Sequence, residues 1–385
     1  MTKHPFADDD DRKWEYAAHT RAKHDVLRYY INTWIKKLST PDRKLRLFDC
    51  FAGRGSYVSP GNGEPMALNN IHTDVSVPGS PLIMLDVATE LANLAEEIQC
   101  VFIEKEDENM EMLEEALNSV GGLASNVTYE VECGVFEDKI YPMIFKTGGW
   151  GAPSFFFADP FGYSSIPYEI ITDLGIQNRS EVLVNLMAKD LVQWQGDSTK
   201  DSTFATLFGT EDWREELREY TADHWDDDEV EYYCSRLREG GVENTIAYLV
   251  TEKESKRMKY YLVHGSGHPD ALELMREAMD NCGSGEYAYA PKRADLIKNQ
   301  SGLNRWTGQS PEEKFQEYLM TNFEDMDISF NDIVAEVIKE NEYTSYNRSE
   351  IKRLLKDLRS EGLIQTTQVT SKTERGLQQD DLVHF

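Results

Sequence analysis

The chain has 385 residues, 40% hydrophobic and 11% aromatic, enough apolar material to bury a large core and to divide into two or three domains. Its 69 Asp and Glu against 40 Lys and Arg give a formal net charge of -29, yet the apolar content excludes a disordered acidic chain and points to a folded protein with an acid-covered surface. No apolar run approaches the ~18 residues of a membrane span, and the polar, acidic residues 1–12 argue against a secretory signal, so a cytoplasmic location is expected.

An acidic surface suits concentrated salt and suggests a salt-adapted, haloarchaeal-like organism. At 1 M salt the Debye length is only about 3 Å, so the net charge weighs little against a nucleic-acid partner. The five cysteines, Cys50, Cys100, Cys133, Cys234 and Cys282, are scattered without a CxxC pair. That argues against a zinc cage or a disulfide framework, and no metal is expected.

Residues 1–45 read as a tail followed by a helix, with Trp14, Ala17, Leu27, Tyr30, Ile31 and Trp34 near helical spacing and Pro41 as a stop. Strand-like runs at 46–51, 100–104, 127–132, 154–159 and 181–187 then alternate with helical patterns at 81–98, 107–120, 135–145 and 167–174. Repeated strand-helix units imply a parallel sheet covered on both faces. After an acidic helical stretch at 202–238, runs at 244–251 and 258–264 flank a turn and read as an antiparallel hairpin. The expected fold over 46–282 is therefore α/β and Rossmann-like, five parallel strands plus that hairpin; such a sheet alone also admits a dehydrogenase or a flavodoxin-like protein.

Residues 283–310, rich in Gly, Ser, Asn and Lys, read as a linker. Helices at 311–323, 329–340 and 347–361, followed by strands at 363–369 and 381–385, give a winged-helix pattern over 311–385, whose third helix can enter a DNA major groove. That helix carries Arg348, Lys352, Arg353, Lys356 and Arg359, and the wing adds Lys372 and Arg375. Nucleic-acid contact and protein docking or dimerisation explain this basic surface about equally well.

The sharpest motif is Leu47-Phe48-Asp49-Cys50-Phe51-Ala52-Gly53-Arg54-Gly55, a strand running into an acid and then Gly-x-Gly. Glycines there allow a tight turn and let a cofactor approach the backbone, while Asp49 can hold the cationic amino group of a methionine moiety. Glu104 ends the second strand where a carboxylate can accept both ribose hydroxyls; a solvated member of the acid run 104–108 is the plainer alternative. Gly134, after the third strand, sits where Val135 and Phe136 can frame an adenine ring. These residues, with Phe51, Gly53 and Gly55, form the expected cofactor site.

The second motif, Phe155-Phe156-Phe157-Ala158-Asp159-Pro160-Phe161-Gly162, resembles the acid-Pro-aromatic loop of methyltransferases that modify exocyclic amines. Asp159 and the Pro160 carbonyl can accept hydrogen bonds from an NH₂ group while Phe161 stacks on the base. A structural turn is the alternative for this loop. Lys23 and His24 can face the cleft, although a surface role is at least as plausible, and His264 and His268 flank Gly265-Ser266-Gly267 after the last strand, near where a substrate can lie, with a helix-start turn the favoured reading. Asp226, Asp227 and Asp228 read as solvated surface, and Glu130, Glu132 and Glu137 are the nearest approach to a nuclease-like acid cluster.

Taken in order, Trp14, Lys23-His24, D-C-F-A-G-R-G, Gly79-Ser80-Pro81, F-F-F-A-D-P-F-G and His268 through Met275 to Met279 resemble the three-Cys-motif partner proteins across about residues 10–300. The resemblance implies a class I methyltransferase-like core and a partner protein with three clustered cysteines. The Asp-Pro-Phe-Gly loop is also similar to that of tRNA guanine-N2 dimethyltransferases. One departure is that residues 57–78 separate the glycine turn from its expected helix, so Gly79 and Ser80 must restore the helix start from a distance or the insertion acts as a lid. The expected activity is transfer of a methyl from S-adenosylmethionine to an exocyclic nitrogen of a base in RNA or DNA by in-line displacement. The rival is a non-catalytic DNA-binding regulator or assembly partner of a three-cysteine protein.

Overall fold

The computed structural model describes residues 14–59, 63–160, 166–187, 197–223, 228–252, 258–282, 287–290, 311–339, 346, 348–367 and 381–385. The chain divides into two compact units, residues 1–268 with 274–289, and residues 269–273 with 290–385. No helix among the described residues is long and apolar enough to cross a membrane.

The larger unit opens with α1 (Ala18–Leu38), which buries Val26, Leu27, Tyr30, Ile31, Trp34 and Ile35 on one face. Strands β1 (Lys44–Asp49), β2 (Glu97–Glu104), β3 (Val127–Cys133), β4 (Ser154–Ala158) and β5 (Ser180–Leu186) alternate with α2 (Ser80–Glu90), α3 (Asp107–Asn118), α4 (Phe136–Lys146) and α5 (Tyr168–Gly175). Every residue of β4 and β5 is buried, as expected of strands covered on both faces, and Phe48 of β1 stacks on Phe156 of β4 with centroids 4.6 Å apart. Helices α6 (Asp201–Phe208), α7 (Trp213–Asp223) and α8 (Asp228–Glu239) precede β6 (Asn244–Glu252) and β7 (Met258–Ser266), and α9 (Pro269–Cys282), whose residues 269–273 count with the smaller unit, leads to β8 (Tyr287–Ala290).

Among the described residues the strand order is β3-β2-β1-β4-β5-β7-β6-β8. Pairs β1–β2, β2–β3, β1–β4 and β4–β5 are parallel, and β7 runs antiparallel to both β5 and β6. This is the sheet expected from the sequence, with the addition of β8, which falls in the segment read as a linker. The order reverses between β1 and β4, so the carboxyl ends of these strands border the crevice where ligands bind in open α/β sheets.

One helix is shorter than its apolar pattern. The pattern at 81–98 ends as a helix at Glu90, a short 3-10 turn follows at Ala92–Leu94, and β2 already begins at Glu97. Apolar residues on both sides of that break carry the helical period through it, because the strand behind it is also buried.

In the smaller unit α10 (Pro311–Asn322), α11 (Phe330–Lys339) and α12 (Arg348–Ser360) accompany an antiparallel sheet of order β10-β11-β9, formed by β9 (Asp327–Ser329), β10 (Gln365–Thr367) and β11 (Leu382–His384). Strand β9 was not expected: three residues are too few to show a period. Helix α12 buries Ile351, Leu354, Leu355 and Leu358 at i, i+3, i+4, i+7 spacing, which turns Arg353, Lys356 and Arg359 outward. The wing residues Lys372 and Arg375, most of the 283–310 segment, and Asp226 and Asp227 lie outside the described residues.

Candidate functional site

A cavity of about 430 Å³ opens at the carboxyl ends of β1 and β4, in the larger unit. Its base is the glycine turn. Gly53 and Gly55 adopt φ of 62° and 66°, a left-handed backbone that suits glycine, and a Cβ on Gly53 would lie 3.2 Å from the Trp14 ring. The Gly79 N–H donates to the Gly55 carbonyl at 2.8 Å, and a Cβ on Gly79 would lie 2.9 Å from the Gly55 carbonyl carbon. Helix α2 therefore starts directly against the turn in spite of residues 57–78, with Pro81 favouring the start.

The described residues of the intervening segment are anchored at both of its sides. Asp86, fully buried on α2, accepts the backbone N–H groups of Asn69, Asn70 and Ile71 at 2.9, 2.7 and 3.2 Å and pairs with Arg28 at 2.5 Å. Val58 donates its N–H to the Trp14 carbonyl at 3.0 Å and Tyr16 to the Ser59 carbonyl at 2.8 Å, so the segment before α1 and the insertion wall the cavity together.

Asp49, 0% exposed, lies beneath this floor between Phe51 and Ser80, both of which line the cavity. Its Oδ1 accepts the Phe51 N–H at 3.3 Å, while Oδ2 has no hydrogen-bond partner. Burial pushes the carboxyl up to about 7; the Ser80 hydroxyl opposes that rise and the nearby Asp159 charge adds to it.

A second, smaller compartment of about 130 Å³ is bordered by Phe51, Glu104, Asn109, Gly134, Val135, Phe136 and Pro160. Phe51 and Pro160 border both compartments, which adjoin at these two residues. Glu104 accepts the Gly53 N–H at 2.8 Å on Oε2, and the Glu106 N–H at 2.9 Å and the Asn109 amide at 3.3 Å on Oε1. Gly134, at φ 145°, donates its N–H to the Glu104 carbonyl at 2.8 Å, and Phe51 packs near Phe136 with centroids 5.3 Å apart. The structure thus brings five of the six expected cofactor residues, Phe51, Gly53, Gly55, Glu104 and Gly134, to the lining of these two compartments, while Asp49 is buried behind Phe51 and Ser80 and lines neither.

Asp159 and Pro160 border the larger compartment; Phe161 lies outside the described residues. Asp159 is held from both sides. Asn185 of β5 donates to its Oδ1 at 2.6 Å, and the Lys23 ammonium pairs with its Oδ2. Lys23 is 8% exposed, its Nζ stands 5.7 Å from the centre of the Tyr260 ring, and it lines the cavity, so it faces inward and has no surface role. Its helix turns this face inward together with Leu27 and Ile31.

His24 is buried as well. Its Nδ1 lies 3.1 Å from the Tyr16 hydroxyl, and burial, reinforced by the Lys23 and Arg21 charges, lowers its pKa to about 3, leaving it neutral. Sequence reasoning also passed over Asn185, Tyr57 and Tyr260. Asn185 is a lone amide in the otherwise apolar strand run Val182-Leu183-Val184, the one signal that could have flagged it.

His264 is in β7, fully buried, and not in a turn. Its Nε2 lies 3.0 Å from the Tyr30 hydroxyl and 3.2 Å from Glu181, which ties α1 to β5 and β7 away from the cavity lining. Glu130 and Glu132 are taken up by Lys146 and Lys139, each at 2.7 Å, and the described residues hold no group of three or more His, Cys, Asp or Glu suited to a metal ion.

In the smaller unit Arg348 donates to Asn331 at 2.5 Å and lies over the Phe330 ring at 5.1 Å, so it is committed to packing its own unit. Arg353 and Lys356 are exposed and Lys352 half-buried.

No protein-family model matches the chain, and no curated protein matches it. Among solved structures it is similar to precorrin-6y C5,15-methyltransferase from Geobacter metallireducens GS-15, at 10% identity over 67% of this chain and 96% of that one, with a TM-score of 0.30. A likeness of that size carries no argument about this chain.

Proposed function

We propose that the chain is an S-adenosylmethionine-dependent methyltransferase acting on an exocyclic amine of a nucleic-acid base. The observation that carries this reading is the unpartnered Oδ2 of Asp49, a buried carboxylate oxygen beneath a glycine turn, for which a cationic amino group is the fitting partner. The sheet order, with its antiparallel β7 between β5 and β6, is that of class I methyltransferases and supports the same reading.

The residues present fit the cofactor. Asp49 would hold its amino group, the glycine turn and the start of α2 its carboxylate, Glu104 its ribose hydroxyls, and Phe51, Val135 and Phe136 its adenine. When bound, it supplies an electrophilic methyl group. The chain's part is positional: Lys23 and Asn185 fix the Asp159 carboxylate, and Asp159 with the Pro160 carbonyl orients an acceptor N–H group at the join of the two compartments.

The smaller unit, read as a winged helix, would bring the nucleic acid through Lys352, Arg353 and Lys356, with Arg348 bracing the helix that presents them. Resemblance to the three-Cys-motif partner proteins adds a three-cysteine protein as a candidate partner.

The test is calorimetric titration with S-adenosylmethionine and S-adenosylhomocysteine in molar KCl, repeated on Asp49→Ala. Micromolar binding of both, lost in the variant, supports the reading. A folded protein that binds neither ligand rejects it and favours a regulator or assembly partner.

A further inference from the structure

The loop that ends β4 is chemically suited to receive an amine, and the group bonded to Asp159 Oδ2 is an amine of the chain itself, the Lys23 Nζ. Asn185 occupies the other carboxylate oxygen, so Lys23 stands where an incoming N–H donor would bind Asp159. Among the described residues that line the cavity it is the sole lysine. We propose that Lys23 is a self-modification site, methylated on Nζ within this cavity. The proposal rests on the methyltransferase reading and adds to it an acceptor within the same chain.

Three features favour the lysine as acceptor. Its side chain is 9% exposed, so the amine is held within the cavity rather than swept through solvent. The Tyr260 ring, 5.7 Å from Nζ, provides an aromatic face that accepts a methylated ammonium as readily as an unmodified one. Methylation keeps the positive charge, so the pairing with Asp159 survives the first additions.

The step balances with one co-reactant, a methylsulfonium donor of the S-adenosylmethionine class. Nζ gives up a proton, and the freed lone pair forms an N–C bond to the methyl carbon. The C–S bond breaks with its electron pair left on sulfur, giving a neutral thioether. The proton departs through Asp159, whose side chain is 18% exposed and reaches solvent.

The test uses the full-length protein, its peptides mapped by mass spectrometry as purified and again after incubation with S-adenosylmethionine in molar KCl, with binding of S-adenosylhomocysteine measured in parallel. The expected result is a gain of one or more methyl increments, about 14 Da each, on the peptide that holds Lys23, with none at this position in Lys23→Arg. Accumulation is expected to be slower in Asp159→Asn, which removes the carboxylate paired with Nζ. Protein that binds S-adenosylhomocysteine yet shows no gain on Lys23 overturns this proposal alone. Protein that does not bind it overturns the methyltransferase reading as well.

Discussion

Asp49 offers a test in which stability and binding must move in opposite directions. Its carboxyl is raised from 3.8 to about 7 by burial, so between those values the folded state holds a proton that the unfolded chain has lost. Stability therefore falls as pH rises from about 4 to about 7 and stays lowered above that. A shift of about three pH units corresponds to about 4 kcal/mol, a ceiling reached only if the fold does not relax around the charge. Asp49→Asn removes the charge while nearly keeping the shape. The variant is expected to be more stable than the parent at pH 8, each kcal/mol raising Tm by about 2–4 °C, and the difference should shrink towards pH 4. At the same time it should lose cofactor affinity, and in the parent the dissociation constant should weaken about tenfold per pH unit below pH 7, where the carboxylate form becomes scarce. Thermal unfolding from pH 4 to 8 in molar KCl and calorimetry across the same range measure both. An Asn variant no more stable than the parent at pH 8, or one that retains full affinity, refutes the assignment of Asp49 as an uncompensated acid awaiting a cation.

Other sites give simpler readouts. Gly79→Ala places a methyl 2.9 Å from the Gly55 carbonyl carbon, so the start of α2 must shift; a loss of about 1–3 kcal/mol in denaturant melts and weaker cofactor binding are expected. Asp86→Ala removes the acceptor of three backbone N–H groups and the partner of Arg28, and should cost about 3 kcal/mol or more, with fast hydrogen exchange at residues 69–71 as its local sign. Replacing Arg353 and Lys356 with Glu should weaken nucleic-acid binding and reduce the salt slope of log K by about 2 if both contact phosphate, read by titration at several KCl concentrations.

Much of the larger unit was legible because its strands are short apolar runs bounded by turn residues, and because acids and glycines mark their carboxyl ends. Asp49, Glu104 and Asp159 could be found for that reason: a carboxylate at the end of a buried strand is costly unless it is paired, hydrogen-bonded or serves a bound group. Lys23 was harder to place. A lysine on a helix has the same spacing whether its face is turned to solvent or inward, and only the packing of α1 against the sheet decides between them. Asn185 was hidden for a similar reason, since the acid it serves is supplied by a neighbouring strand and the pairing exists only in the folded sheet. Strands β8 and β9 were missed because very short strands draw their stability from their neighbours and carry no period of their own.

The insertion at 57–78 follows the same logic from the opposite side. A stretch of that length between a glycine turn and its helix argues in sequence against a cofactor site, because the helix amides should lie beside the turn. The contact of Gly79 with Gly55 removes the objection: both lack a side chain, and a Cβ on Gly79 would strike the Gly55 backbone. The insertion leaves and returns at nearly one point, so the turn and the helix start behave as neighbours. Held by Asp86 and Arg28, it is free to contribute Tyr57 to the cavity wall without disturbing the cradle beneath. Of the two alternatives for the insertion, the contact of Gly79 with Gly55 favours restoration of the helix start from a distance, and on the methyltransferase reading specificity for the acceptor is expected to reside in the cavity wall, in Tyr57 and Trp14.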